Sequence, residues 1–217
     1  MLLFEKYGQH QPLNRQAERF AREGVPLSTS TLADQVGAAS AALLPLYRRI
    51  EAHVLAAERL HGDDTTVPVM AKNKTDTARL WVYVRDDRPF AGSDPPAALF
   101  HYSRDRRGEH PRAHLASWSG ILQADAYGGY NELYAAGRQP APVLQAGCFA
   151  HARRKFFELA DVTTAARRKS KGTSAAMIYP IALKTVQRLD ALFDLERAST
   201  ASLPPSASPC ASSTAGR

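Results

Sequence analysis

The sequence predicts an α/β protein: a mixed five-stranded sheet flanked by helices and preceded by an α-helical segment. Three apolar, β-branched runs follow one another closely in the middle of the chain, and two later ones alternate with helical stretches. Strands in close succession, followed by strands that alternate with helices, are typical of a mixed sheet in a layered α/β architecture. The predicted strands occupy residues 59–70, 80–84, 97–102, 121–125 and 143–149.

The N-terminal segment, residues 1–57, carries helical periodicity and helix-boundary residues. One helix follows Pro12, a second is capped by Ser28 or Ser30, and Pro45 opens a third. Two helices joined by a short turn have the outline of a helix-turn-helix. The alternative stays open that three helices simply pack on a neighbouring sheet, because the turn is loose and the second helix shows no base-reading residues.

The rest of the chain divides into a core, residues 58–197, and a tail, residues 198–217. Short helices are expected within the core, as is a basic loop at residues 161–179 and a last helix from Pro180 to about Glu196. The tail consists mostly of serine, proline and alanine and cannot bury a core, so we expect it to be disordered.

Composition limits the function classes. The 28 lysines and arginines exceed the 21 acidic residues by seven, which favours a polyanionic partner. The chain has no apolar run long enough to span a membrane, and Glu5 and Lys6 interrupt any signal-like start. Its two cysteines, Cys148 and Cys210, exclude a disulfide framework, so a reducing cytoplasm is the expected setting.

Three acidic residues are candidate catalytic and metal-binding residues. Asp63 lies on or just before the first strand, and Asp125 closes the fourth, directly before a glycine-rich turn. Glu196 falls near the apolar face of the last helix, which is expected to pack on the sheet, and a carboxylate there is costly without a partner. The alternative is a solvated charge at a frayed helix end. Strand alternation makes Asp64 the substitute if Asp63 and Asp125 point to opposite faces.

Three converging carboxylates would hold two Mg²⁺ (or Mn²⁺) ions, the arrangement used for in-line phosphoryl displacement. A basic protein could then hold the phosphates of DNA around such a site. The candidate DNA-binding residues, which could instead be solvated surface charges, are Arg153, Arg154 and Lys155 in one helix and Arg167, Arg168, Lys169 and Lys171 in the basic loop.

Three other sequence patterns are weaker indications of function. Cys148 and His151 have zinc-like spacing but lack a second ligand pair, so a structural cysteine and a phosphate-facing histidine are favoured. The charged run at residues 104–110 is interpreted as mainly solvated. The chain contains no phosphate-cradling Gly-Lys-Ser/Thr loop, so ATP use is not indicated.

Over residues 1–197 the sequence resembles the DDE-type transposases of the bacterial insertion-sequence-66 family. The resemblance rests on ordered blocks that include residues 60–65 (LHGDDT), 80–83 (LWVY), 108–110 (GEH), 120–127 (GILQADAY) and 148–157 (CFAHARRKFF). It implies an RNase H-like catalytic core in which Asp63 and Asp125 are the two aspartates and Glu196 is the best position for the glutamate. It also implies two Mg²⁺ ions, transposon-end and target DNA as partners, homo-oligomers assembled on DNA, and a place at the bacterial nucleoid.

The sequence departs from the family pattern at several positions. Gly62 and Asp64 replace alanine and glutamate of the first motif, and Phe149 replaces a tryptophan. The tail stands where a basic helical continuation is expected, which suggests a truncated chain. The predicted function is therefore DNA strand cleavage and strand transfer during transposition, inactive if truncation removes a needed part. The alternatives are a non-catalytic DNA-binding remnant and an RNase H-like nuclease that cuts without joining.

Overall fold

The computed structural model describes residues 1–160 and 179–201. The chain divides into two compact units, Met1–Ala52 and His53–Arg217. None of the described helices is both long enough and apolar enough to cross a membrane.

The first unit is helical, as predicted. A π-helical turn at Phe4–Gly8 precedes α1 (Leu13–Arg22), and α2 covers Thr29–Leu55, so that its last residues cross the unit boundary. The hydroxyl of Ser28 accepts the backbone N–H of Thr31 at 3.0 Å. This bond satisfies one of the free donors at the start of α2, so Ser28 is the helix cap.

The predicted break at Pro45 is wrong, because α2 runs through this residue as one continuous helix. A proline inside a helix removes one backbone hydrogen bond, here the bond to the carbonyl of Ala41, and usually favours a break or kink. Ala41 is exposed, so water can reach this part of the helix. The helix-turn-helix hypothesis therefore loses its third helix but keeps its first two.

The second unit contains the predicted mixed five-stranded sheet, which the structure confirms. Its strand order is β3-β2-β1-β4-β5, with β1 at the centre. β1 pairs antiparallel with β2 and parallel with β4, and the pairs β2–β3 and β4–β5 are antiparallel and parallel, respectively. The strands are β1 (Arg59–Ala71), β2 (Lys74–Arg85), β3 (Ala97–Ser103), β4 (Ile121–Ala124) and β5 (Leu144–Gly147).

One face of the sheet carries the core. Leu60 of β1, Trp81 and Tyr83 of β2, Leu99 of β3 and Leu122 of β4 are almost completely buried. Because side chains alternate along a strand, all five belong to one face. Side chains from three neighbouring segments complete the core: α3 (Glu109–His114), the residues after it, and a 3₁₀ segment (Gly128–Tyr134). They are Pro111, Leu115, Trp118, Tyr130 and Leu133.

Two further helices complete the described part of the unit. α4 covers Phe149–Ala160, and α5 covers Pro180–Ala201. Along α5, Ala182, Val186 and Leu189 are buried. The helix packs mainly against α4. The expectation that this apolar stripe packs on the sheet is therefore corrected to packing on a neighbouring helix.

Candidate active site

A cleft of about 940 Å³ opens where β4 and β5 end. Its walls come from β1, the two turns that follow β4 and β5, and the first half of α4. In open α/β sheets, ligands bind outside the carboxyl ends of parallel strands. The position of this cleft is therefore that of a typical active site.

Asp63 and Asp125 both line this cleft. In the parallel pair of β1 and β4, His61 is opposite Gln123, and each aspartate lies two residues further along its strand direction. Positions two apart along a strand share a face, so the two carboxylates are directed to the same side of the sheet. The Asp63 side chain is 51% exposed and that of Asp125 26%.

Asp64 also borders the cleft, but its environment is different. It is opposite Trp81 in the β1–β2 register, on the core face, and its side chain is only 2% exposed. Arg79 of β2 donates to Oδ2 of this carboxylate at 2.9 Å, and Arg106 donates to Oδ1 at 2.9 Å. A carboxylate this buried requires such partners, so Asp64 is a structural anion between two arginines.

Arg106 connects Asp64 with Asp125. Its Nη2 lies 2.8 Å from Oδ1 of Asp64 and 3.3 Å from Oδ2 of Asp125. The guanidinium also covers the ring of Tyr127 at 4.1 Å from the centroid. The interpretation of residues 104–110 as solvated is therefore wrong for Arg106, whereas the exposed Arg107 contacts Asp105 at the surface. Strand pairing brings Arg79 to Asp64, and the loop after β3 brings Arg106. Both contacts are tertiary and could not be predicted from the sequence pattern alone.

The turn after Asp125 is held close to the loop that carries Arg106. The backbone N–H of Tyr127 donates to Asp125 Oδ1 at 3.1 Å, and the Tyr127 hydroxyl donates to the carbonyl of Arg106. A Cβ added at Gly108 would lie 2.8 Å from the carbonyl oxygen of Gly129 and 3.0 Å from its Cα. The absence of a side chain at Gly108 thus allows its backbone to lie against that of Gly129.

Behind the acidic residues, burial keeps tyrosine and histidine side chains neutral. Burial raises the pKa of the Tyr83 and Tyr130 hydroxyls far above their usual range. Burial, and then the neighbouring His101 and His110, lower the pKa of His114 to about 4. The Tyr83 hydroxyl and Nδ1 of neutral His114 lie 3.2 Å apart and share a hydrogen bond whose direction is set by the histidine tautomer.

The basic rim of the cleft comes from α4. Arg154 and Lys155 are exposed and line it. Nε2 of His151 lies 3.6 Å from Oδ2 of Asp63, which is too long for a hydrogen bond. Arg153 faces elsewhere, since its Nε donates to Asp190 of α5 at 2.6 Å and joins the two helices. The other DNA-binding candidates, Arg167, Arg168, Lys169 and Lys171, lie outside the described residues.

Glu196 is an exposed residue of α5. It is not among the described residues that line the cleft with Asp63 and Asp125. The structure therefore brings together two of the three acids singled out from the sequence.

Metal-binding capacity can be judged from the donors present. Asp63 and Asp125 offer hard oxygen ligands in an open cleft, which fits one Mg²⁺ that keeps several waters. Elsewhere in the described chain, ligand atoms of Asp105, Glu109 and His110 lie within 4.8 Å of one another, a grouping that exposed acidic residues also form without an ion. Among the described residues, no such three-ligand grouping contains Cys148, so the zinc-like spacing gains no support.

The chain is similar to proteins of a known family. A family model described as "Transposase IS66 family" matches residues 1–210. An uncharacterized protein of Sinorhizobium fredii, y4hP, is 58% identical over 90% of this chain and 35% of its own length. Two others from this organism, y4qI and y4jD, are 39% and 32% identical over 71% and 90% of the chain.

The chain spans about a third of the length of these relatives. The matched part is 30% of y4qI and 36% of y4jD. The family match nevertheless covers every described residue, including β1, β4 and the residues that line the cleft. It agrees with the resemblance that the sequence blocks around Asp63 and Asp125 indicated. The chain therefore belongs to the IS66 family of transposases.

Proposed function

We propose that this chain is the catalytic part of a DNA transposase, which cuts a DNA strand and joins the freed 3′-hydroxyl to target DNA. The observation that carries the proposal is the pair Asp63 and Asp125, whose carboxylates line one cleft beside the exposed cations Arg154 and Lys155. Acidic groups that recruit divalent ions, next to basic groups that bind phosphates, are what phosphodiester chemistry requires.

Asp63 and Asp125 would hold the divalent cation, with Glu196 as the proposed third carboxylate for a second ion. When bound, the ions supply Lewis-acid stabilisation of the charge that develops during in-line displacement at phosphorus. Within the chain, the Tyr127 N–H orients the Asp125 carboxylate, and the Asp64 N–H does the same for Asp63 at 2.8 Å. Both carboxylates are thereby prepared in position before substrate arrives.

The proposed reaction has two steps, strand cleavage and strand transfer. In the first, water attacks a phosphodiester, the bond to the 3′-oxygen breaks, and a 3′-hydroxyl and a 5′-phosphate result. In the second, that 3′-hydroxyl attacks a phosphodiester of the target strand and releases a target 3′-hydroxyl. Arg154 and Lys155 would bind the flanking phosphates and position the strand over the two aspartates.

The test is incubation of the protein and Mg²⁺ with a plasmid carrying the DNA that flanks the coding sequence. We expect strand cuts and joined products, and we expect Asp63→Asn or Asp125→Asn to abolish both. Cutting without joining would favour the nuclease, and binding without cutting would favour the DNA-binding remnant.

A separate pair of variants tests Glu196 as the third carboxylate. Glu196→Gln should reduce cutting and binding of a second ion if this residue moves to the cleft on DNA. The matched control is Asp194→Asn, which removes another exposed charge from the same helix. Equal activity in the two variants would remove Glu196 from the site.

A further inference from the structure

We propose that Arg106 neutralises Asp125 in the metal-free protein and that a divalent cation must displace Arg106 from this carboxylate. Asp64 then keeps Arg106 in the cleft. The proposal rests on the proposed role of Asp125 as a metal ligand. It assigns to Arg106 the role of a positioning residue that lowers the affinity of the free protein for metal.

The two contacts of the guanidinium are unequal. Toward Asp64, Nε and Nη2 lie 2.9 and 2.8 Å from the same oxygen, and the carboxylate is 2% exposed. Toward Asp125, a single nitrogen reaches the carboxylate at 3.3 Å, and that side chain is 26% exposed. Shorter, paired and buried contacts are the stronger ones, so Asp64 is the anchor and the Asp125 contact is exchangeable.

Asp125 has both oxygens engaged. Oδ1 accepts the Tyr127 N–H, and Oδ2 faces Nη2 of Arg106. A divalent ion at Oδ2 competes with the guanidinium for this oxygen and is repelled by its positive charge. Binding of the ion therefore requires Arg106 to withdraw from Asp125.

Arg106 cannot leave the cleft when it withdraws. The Asp64 carboxylate and the ring of Tyr127 hold its guanidinium, and the Tyr127 hydroxyl bonds to its backbone carbonyl. The nitrogen released from Asp125 then stays in the cleft that Arg154 and Lys155 also line. An arginine freed in this way is a suitable phosphate donor.

The test measures Mn²⁺ affinity without DNA, by titration with detection of free Mn²⁺ by electron paramagnetic resonance. Arg106→Gln should bind Mn²⁺ about fivefold or more tightly than the unchanged protein, the effect of removing one nearby positive charge. The matched control is Arg154→Gln, which removes an equal charge from the same cleft. Because Arg154 is exposed and solvent screens its charge, we expect a change of less than about twofold.

Two further variants make the outcome decisive. If Arg106→Gln does not fold, Arg106→Lys replaces it, because a single ammonium held by Asp64 leaves Asp125 free and should also tighten Mn²⁺ binding. Equal affinities for the Arg106 and Arg154 variants would overturn the proposed role of Arg106. Asp125→Asn separates the two hypotheses: unchanged Mn²⁺ binding in this variant would instead overturn the proposed metal site.

Discussion

Asp63 and Asp64 are consecutive residues of β1 whose carboxylates lie on opposite faces of the sheet. Asp63 is opposite Val82 and 51% exposed, whereas Asp64 is opposite Trp81 and 2% exposed. The alternation of a strand thus divides two identical side chains between the cleft and the core. One is available to a ligand, and the other holds two arginines in place.

This division predicts different effects of the same substitution. Asp64→Asn should lower the free energy of unfolding by about 2–3 kcal/mol, since it removes the buried partner of two arginines that keep some contact with solvent. Asp63→Asn should change it by less than about 1 kcal/mol, because the side chain is half exposed. Urea denaturation of the two variants measures the difference, and equal losses would contradict the separate roles.

The contact between Gly108 and Gly129 gives a second prediction. Gly108→Ala places a methyl group against backbone atoms of Gly129, which cannot move aside as a flexible side chain could. We expect a loss of about 1–3 kcal/mol in unfolding free energy, together with weaker positioning of Arg106. Gly137→Ala is the matched control, because its new Cβ would have no neighbour within 4 Å. Thermal unfolding of both variants tests this, and a stable Gly108→Ala protein would contradict it.

Local sequence pattern was sufficient for the strands and for one pair of acids. Alternating β-branched residues identified β1 and β2, and the position of Asp125 before a glycine-rich turn placed it at a strand end. Asp63 and Asp125 could be paired from sequence because the blocks around them resemble the two aspartate motifs of the transposase family, and the β1–β4 register directs both to one side of the sheet.

The remaining features depend on tertiary contacts. Arg106 lies in a charged run that resembles solvated surface, and only the folded chain brings it to Asp64. The apolar stripe of α5 shows that the helix must be covered, but periodicity does not say whether a sheet or another helix covers it. Pro45 was expected to open a new helix, yet the absence of one hydrogen bond at an exposed position did not break α2.

Salt dependence separates the cations of α4. The double variant Arg154→Gln/Lys155→Gln should flatten the slope of log affinity for duplex DNA against log salt by about 0.9 for each phosphate that the protein no longer binds. Arg153→Gln should leave this slope nearly unchanged and lower the unfolding temperature, because Arg153 is paired with Asp190. Fluorescence anisotropy at several salt concentrations gives the slopes. A slope unchanged in the double variant would show that Arg154 and Lys155 are only solvated charges.

His114 makes the fold sensitive to acid. Its pKa is lowered by burial, and then by His101 and His110, from an ordinary 6.5 to about 4. Between these values the unfolded chain binds a proton that the folded chain does not, so stability rises with pH across this window and is lost as pH falls from about 6.5 to about 4. The loss from this group is at most about 3 kcal/mol. His114→Gln should reduce this pH dependence in urea unfolding, whereas His10→Asn, which removes an exposed histidine of the first unit, should retain it. The same acid sensitivity in the His114 variant would show that the neutral, buried histidine is not its source.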